Sequence, residues 1–347
     1  MSFKSLFKYS AVNGKIHAMS GRRLTYSDFE TLSEMQSVSD IASFLATHPS
    51  WGNTLADMPS DEVHRGILES AIASGLTTDY KKLLSFSFGI DKIILQAYCK
   101  NADVLEILSF LRLLGADHGE DYSCSRPEYF MHYGEINYKE LMSNPTYDGL
   151  IEASKRSLFK DAIVRFTPKD NKIEYTKIET ALRKCYFDNI YGLINSKLKM
   201  RESRELLNII DIRIDYANIV NIYRAKKYFK SSSEELLGYI LPYTGKLTQK
   251  NLNHLIEAKD EKEVIELLKS TSYAKDFENA FENIEDIFYK RYMKLNRKYL
   301  RSKTPGTFSA IAYFNLRELE CKNLATTIEC VRYGIEPKRT MELLIYN

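Results

Sequence analysis

The residues that could do chemistry in this chain are acids, amides and bases placed within helix-length stretches. In DYANIVNIYRAK, Asp215, Asn218 and Arg224 stand at i, i+3 and i+9. Near the C-terminus, Glu320 and Asn323 repeat the first spacing, and Arg332 sits further along. A step of three puts carboxylate and amide on one helix face, here among apolar neighbours. Taking such groups out of water is costly unless they are partnered. The chemistry they imply is therefore hydrogen bonding. Asp215, Asn218, Arg224, Glu320 and Asn323 read as structural polar clasps between neighbouring helices, with Asp215 and Glu320 buried and accepting from Asn, Arg, Lys or backbone donors. An earlier counterpart in GIDKIILQAYCK keeps only Asp91 and Lys100, with Ile94 where the amide would stand.

Bond-making chemistry is hard to place. The segment Gly238 to Lys246 resembles a phosphate loop, but six residues separate its glycines and Leu247 follows the lysine. A phosphate loop needs four residues and then Ser or Thr. The six histidines show no metal-binding spacing. Asp117–Asp121 reads as a solvated loop rather than a cation site. Serine or cysteine nucleophile signatures such as GxSxG are absent. Glu318 and Glu320, two apart on a helix, point to different sides and so do not form an acid/base pair. No catalytic residue, metal or cofactor is expected.

One charged feature remains. Between Tyr289 and Lys303, the cations Lys290, Arg291, Lys294, Arg297, Lys298 and Arg301 form a stripe on one helix. Ile284, Phe288, Tyr292, Leu295 and Tyr299 fill the opposite face. Such a stripe suits phosphates, anionic headgroups or an acidic protein surface, or it is simply solvated. It is the candidate partner interface.

The elements that must position these residues are helices. Of 347 residues only 15 are glycine and 8 proline, and no proline interrupts Lys169–Leu241 or Tyr243–Thr304. Arg23-Leu24-Thr25 opens a cap signal and a helical hairpin that ends at Trp51. At a constant offset of 223 residues, Leu24 and Thr25 match Leu247 and Thr248, and Phe44 and Leu45 match Leu267 and Leu268, with Trp51 near Tyr273. A weaker copy begins at Gly134-Glu135-Ile136 and includes Leu141, Tyr147, Leu150 and Ala153. One supersecondary unit is therefore repeated. The expected fold is all-α, built of three related helical repeats over 1–115, 116–229 and 230–347, with Thr25 and Thr248 at helix starts.

The net charge of +3 argues against nucleic acid as a partner. Five scattered cysteines without a CxxC predict a reduced, intracellular protein. No apolar run approaches the roughly 18–20 residues that span a bilayer, and Lys4 and Lys8 are not followed by a signal-peptide core. The expectation is a soluble protein that can sit on a membrane-embedded partner.

The closing stretch, AIAYFNLRELECKNLATTIECVRYGIE, carries a broad apolar helical face from Ile311 to Val331, stopped by Gly334 with Pro337 following. Its order Ala312-Tyr313, Leu316, Glu318, Glu320, Lys322-Asn323-Leu324, Ile328-Glu329, Arg332-Tyr333-Gly334 and Pro337 resembles the closing motif of the C subunits of V/A-type ATPases (ATP synthases), relatives of the eukaryotic d subunit. With the repeated Leu-Thr hairpin, the resemblance extends from about Phe7 to Ile345. It departs at Ile94, and at Trp51, where the family usually has tyrosine. The resemblance implies three repeats around a pseudo-threefold axis, forming a funnel. It also implies a non-catalytic central-stalk (rotor) subunit, cytoplasmic and peripheral at the inner face of the membrane. Its partners would be the central shaft and the proteolipid ring, in a machine coupling ATP hydrolysis or synthesis to H+ or Na+ transport. The alternative from the residues alone is a cytosolic helical-repeat scaffold for protein interactions.

Overall fold

Short polar residues start the paired short helices of this protein, and left-handed residues follow three of its long ones. The computed structural model describes residues 3–56, 63–124, 126–169, 172–198, 200–278, 283–302 and 306–346, the side chains of 3–10 and Arg201 excepted. Lys4 and Lys8 therefore have no described side chains, and the end of the basic stretch, Lys303, lies outside the described residues. The architecture is all-α. Among the described residues the sole β feature is an isolated bridge between Lys169 and Lys172. The chain divides into two compact units, Met1–Leu95 with Met293–Asn347, and Gln96–Tyr292.

In the first unit a helical hairpin, Tyr26–Ser33 and Val38–Thr47, packs on the long helix Thr307–Arg332. Thr25 caps the first hairpin helix through a reciprocal capping box with Asp28, and Ser37 caps the second. Phe29, Leu32, Ile41, Leu45 and Trp51 form a core with Leu324, Ile328 and Val331 of the long helix. Trp51 is held by a close approach: a Cβ on Gly75 would come within 2.6 Å of its ring.

The second unit holds two more hairpins of the same design. Helices Tyr138–Ser143 and Tyr147–Ala153 are capped by Asn137 and Thr146. Helices Gln249–Glu257 and Glu261–Leu268 are capped by Thr248, in a capping box with Asn251, and by Asp260. The matched positions of the offset, Thr25 with Thr248 and Ser37 with Asp260, are all caps. Trp51, Phe159 and Tyr273, which follow the three hairpins, have no exposed surface.

Three long helices also end alike. Asn101–Gly115 and Thr307–Arg332 are followed by the left-handed residues Asp117 and Gly334. In both, a 6→1 bond closes the turn, His118 N–H to the Leu113 carbonyl at 2.8 Å and Ile335 N–H to the Cys330 carbonyl at 2.9 Å. Helix Met200–Arg224 instead widens into a π-helical turn over Ala225–Phe229 before the left-handed Lys230. That turn leaves Tyr228 and Phe229 exposed.

Candidate functional site

The acid–amide pairs of the long helices are held by backbone groups and, at Glu320, by arginines. Asp215, on Met200–Arg224, has no exposed surface. Its Oδ1 accepts from Gly245 N–H at 2.8 Å, and its Oδ2 accepts from Lys246 N–H at 2.7 Å and Leu247 N–H at 3.0 Å. The Tyr273 hydroxyl adds a fourth donor at 2.7 Å. Convergent amides of this kind make an anion nest, and here the protein's own carboxylate fills it. These are the amides of the segment that resembled a phosphate loop, and Asp215 already occupies them. Gly245 is required there, because a Cβ would collide with the Asp211 side chain.

One turn on, Asn218 acts like a strand partner. Its Nδ2 donates to the Leu241 carbonyl at 3.0 Å, and its Oδ1 accepts Leu241 N–H at 2.9 Å. Asn323 does the same to the tail of the chain: Nδ2 donates to the Ile345 carbonyl at 3.0 Å, and Oδ1 accepts Ile345 N–H at 2.9 Å. Glu320 is buried beside it, as expected, but meets guanidinium groups instead of amides. Arg23 Nε donates to it at 2.8 Å, and Arg317 bonds it from the preceding turn. Arg23 stands directly before Leu24, as Lys246 stands directly before Leu247.

The structure corrects the sequence reading at three points. Asp91 and Lys100 do not form a clasp: Asp91 accepts from the Thr307 hydroxyl at the start of a helix, and Lys100 pairs with Glu135. The equivalent place is taken by Asp103 and Glu106 on Asn101–Gly115. Asp103 Oδ1 accepts Glu135 N–H at 2.6 Å, 32 residues away, the separation that also joins Asp215 to Leu247. Glu106 accepts from the Tyr122 hydroxyl at 2.7 Å. Second, Arg224 is no part of the buried clasp. It is half exposed and pairs with Glu285. Third, the basic stripe is not one surface. Arg291 turns inward to Asp276, at 2.7 Å, and lies over the Tyr273 ring; Arg297 lies over the ring of Tyr346. Lys290, Lys294, Lys298 and Arg301 stay exposed, one per turn.

Arg317 and Asp79, which sequence reading missed, join the first unit's clasp. Arg317 is buried against the Trp51 ring, 3.8 Å from its centre, with Nε on Asp79 Oδ2 at 3.0 Å. Burial pulls its pKa down, but the charges of Glu320, Asp79 and nearby groups outweigh this and hold it above the ordinary value. Tyr313 also donates to Asp79, at 2.8 Å.

Two carboxyls are pushed the other way. Burial raises Asp103 to about 7 despite its backbone donor, and its Oδ2 has no partner among the described residues. Burial likewise raises Asp211 to about 6, although the Tyr191 hydroxyl at 2.7 Å partly opposes the shift. No group of three or more His, Cys, Asp and Glu among the described residues could hold a metal. No helix among them is long and apolar enough to cross a membrane.

Residues 12–343 match the ATP synthase (C/AC39) subunit family. The chain belongs to that family. Among its relatives, the C subunit of the A-type ATP synthase of Methanobrevibacter smithii is 24% identical over 98% of this chain and 88% of its own length. The protein of the same name from Desulfurococcus sp. is 24% identical over 96% of this chain and 90% of its own. That of Methanosarcina barkeri is 27% identical over 49% of this chain and 46% of its own. Membership makes the chain a structural subunit of a rotary ATPase complex. The clasp residues join its helices to one another and to the openings of its hairpins.

Proposed function

We propose that this chain is the non-catalytic central-stalk subunit that seats the rotating shaft of a rotary ATPase on the membrane's proteolipid ring. In that place it couples ATP hydrolysis or synthesis to H+ or Na+ transport. The reading extends to the arrangement: three repeats, over 1–115, 116–229 and 230–347, around a pseudo-threefold axis, forming a funnel that takes the shaft's end. The subunit works at the cytoplasmic face, peripheral to the membrane through the ring, and needs no cofactor.

The observation that carries this reading is the recurrence of one joint in a member of the family. Three times a long helix presents an acid and, one turn on, a second polar group, and three times the acid meets the opening of a helical hairpin. A part that transmits torque must resist shear, and close-packed helices pinned by buried hydrogen bonds deform little.

Affinity capture of the tagged protein from membranes dissolved in mild detergent tests the reading. Shaft subunits and proteolipid should be recovered together, and removal of the shaft should leave the proteolipid attached. Recovery of neither would overturn the proposal. Calorimetric titration with Mg·ATP should show no tight site on the isolated protein.

A further inference from the structure

Helix Ile284–Leu300 carries a line of exposed cations at successive turns. Several exposed or half-exposed helical cations elsewhere pair with acids three or four residues away: Arg65 with Glu69, Lys155 with Glu152, Lys177 with Glu174, Arg183 with Glu179, Lys184 with Asp188, Arg339 with Glu342. Lys290, Lys294 and Lys298 occupy successive turns of Ile284–Leu300, and Arg301 follows it at the same pitch. All four are exposed, and none has an ion pair among the described residues. Asp286 precedes Lys290 by one turn and is exposed too, yet no ion pair joins them. The line is about 16 Å long at 1.5 Å per residue. The two other cations of the helix, Arg291 and Arg297, are held inward on Asp276 and Tyr346.

Resting on the reading of this chain as part of a larger complex, we propose that this edge docks an acidic helix of a neighbouring protein subunit. Four charges in a straight line at one helical turn match carboxylates at i, i+4, i+8 and i+11 of a second helix, which repeat at the same pitch. A bilayer fits less well. Peripheral helices anchor by burying apolar side chains beside their cations, and the described residues between 238 and 332 include no large exposed apolar one. Nucleic acid also fits less well, because its binding surfaces are broad basic fields, whereas the chain's net charge is +3. Charge lines of this type set docking register and encounter rate more than affinity, and suit a contact that assembles reversibly.

The test is the double charge reversal Lys294→Glu with Lys298→Glu. Both side chains are exposed, so melting should not change. The wild-type protein and the variant are rebound to ATPase complexes stripped of this subunit, at low and high salt, with phosphatidylglycerol vesicles and duplex DNA as parallel probes. Wild-type rebinding should weaken with salt. The variant should rebind about tenfold or more weakly at low salt, with a flatter salt response. A carbodiimide, which joins amines to adjacent carboxylates, should link Lys294 or Lys298 of the wild-type protein to a helix of the partner. Rebinding of the variant equal to wild type overturns the docking surface while leaving membership of the complex intact. Loss confined to vesicles or DNA overturns it as well. Failure of the wild type to rebind would instead strike the proposed function. The edge is then decided by a helical peptide with glutamates at i, i+4, i+8 and i+11: preference for wild type over the variant sustains the proposal, and equal binding ends it.

Discussion

Asp103 and Asp215 are aspartates at equivalent places on two long helices, each facing a backbone amide 32 residues further on. Both are fully buried. Asp215 receives three backbone N–H groups and a tyrosine hydroxyl. Asp103 receives Glu135 N–H, feels the repulsion of the Glu135 carboxylate, and leaves Oδ2 unpartnered among the described residues. Burial costs both aspartates the same loss of water; what differs is the number of donors that replace it. One joint is held by four donors, and the other by a carboxyl that burial raises to about 7.

The largest effect is expected at the third joint, where a guanidinium replaces the amides. Arg317→Ala leaves Asp79 only Tyr313 and Lys82 and deprives Glu320 of one of its two arginines, and should cost about 4 kcal/mol, within the range for breaking a buried pair. Asp215→Ala orphans three amides and a hydroxyl. A loss of about 3–4 kcal/mol is expected, read as a melting temperature lower by roughly 5 °C; an unchanged melting curve with lost assembly would make Asp215 an interface residue instead. Asn323→Ala should cost about 1–2 kcal/mol, because only the Ile345 N–H and carbonyl lose partners. Asp103→Asn sharpens the contrast: above neutral pH it should leave stability unchanged or raise it, where Asp215→Asn lowers it. Arg224→Ala, at an exposed pair, should stay within about 0.5 kcal/mol.

The same contrast sets a pH dependence. Asp103 and Asp211 have folded values of about 7 and about 6, raised by burial above the unfolded range. A raised carboxyl binds its proton more tightly in the folded state, so its contribution is full below the unfolded value and is lost as pH rises through the folded one. Melting temperature should therefore fall between about pH 4 and about pH 7, and the double variant Asp103→Asn with Asp211→Asn should flatten that slope.

What could be read in the sequence was what is local. Thr25 and Thr248 announce their helices because a cap and its partner lie three residues apart. Gly334 announces a stop because a left-handed residue favours glycine. Asp215 with Asn218, and Glu320 with Asn323, are legible through their spacing. Asp103 is not, because its companion one turn on is Glu106 rather than an amide, while the nearby Asp91 and Lys100 mimic the pattern more closely. Arg317 is hidden for another reason: its partner Asp79 lies 238 residues away, and no periodicity encodes that distance. The splitting of the basic stripe is equally illegible, since Asp276 and Tyr346 select Arg291 and Arg297 from outside the helix.

The wide turn at Ala225–Phe229 has a consequence for how this chain can vary in length. From the clasp acid to the left-handed residue the first and third long helices count fourteen residues, Asp103 to Asp117 and Glu320 to Gly334, while the second counts fifteen, Asp215 to Lys230. An extra residue in a regular helix would swing everything after it by about 100°. Here the surplus is taken up within five π-helical residues, and Ser231 N–H still closes the turn on the Ala225 carbonyl at 3.2 Å. The turn acts as an expansion joint: upstream, Asp215 and Asn218 keep their bearings, and downstream the chain leaves in the left-handed conformation its counterparts use. Removing one residue there, Lys227 for instance, should convert the turn to ordinary helix and leave both clasp residues in place.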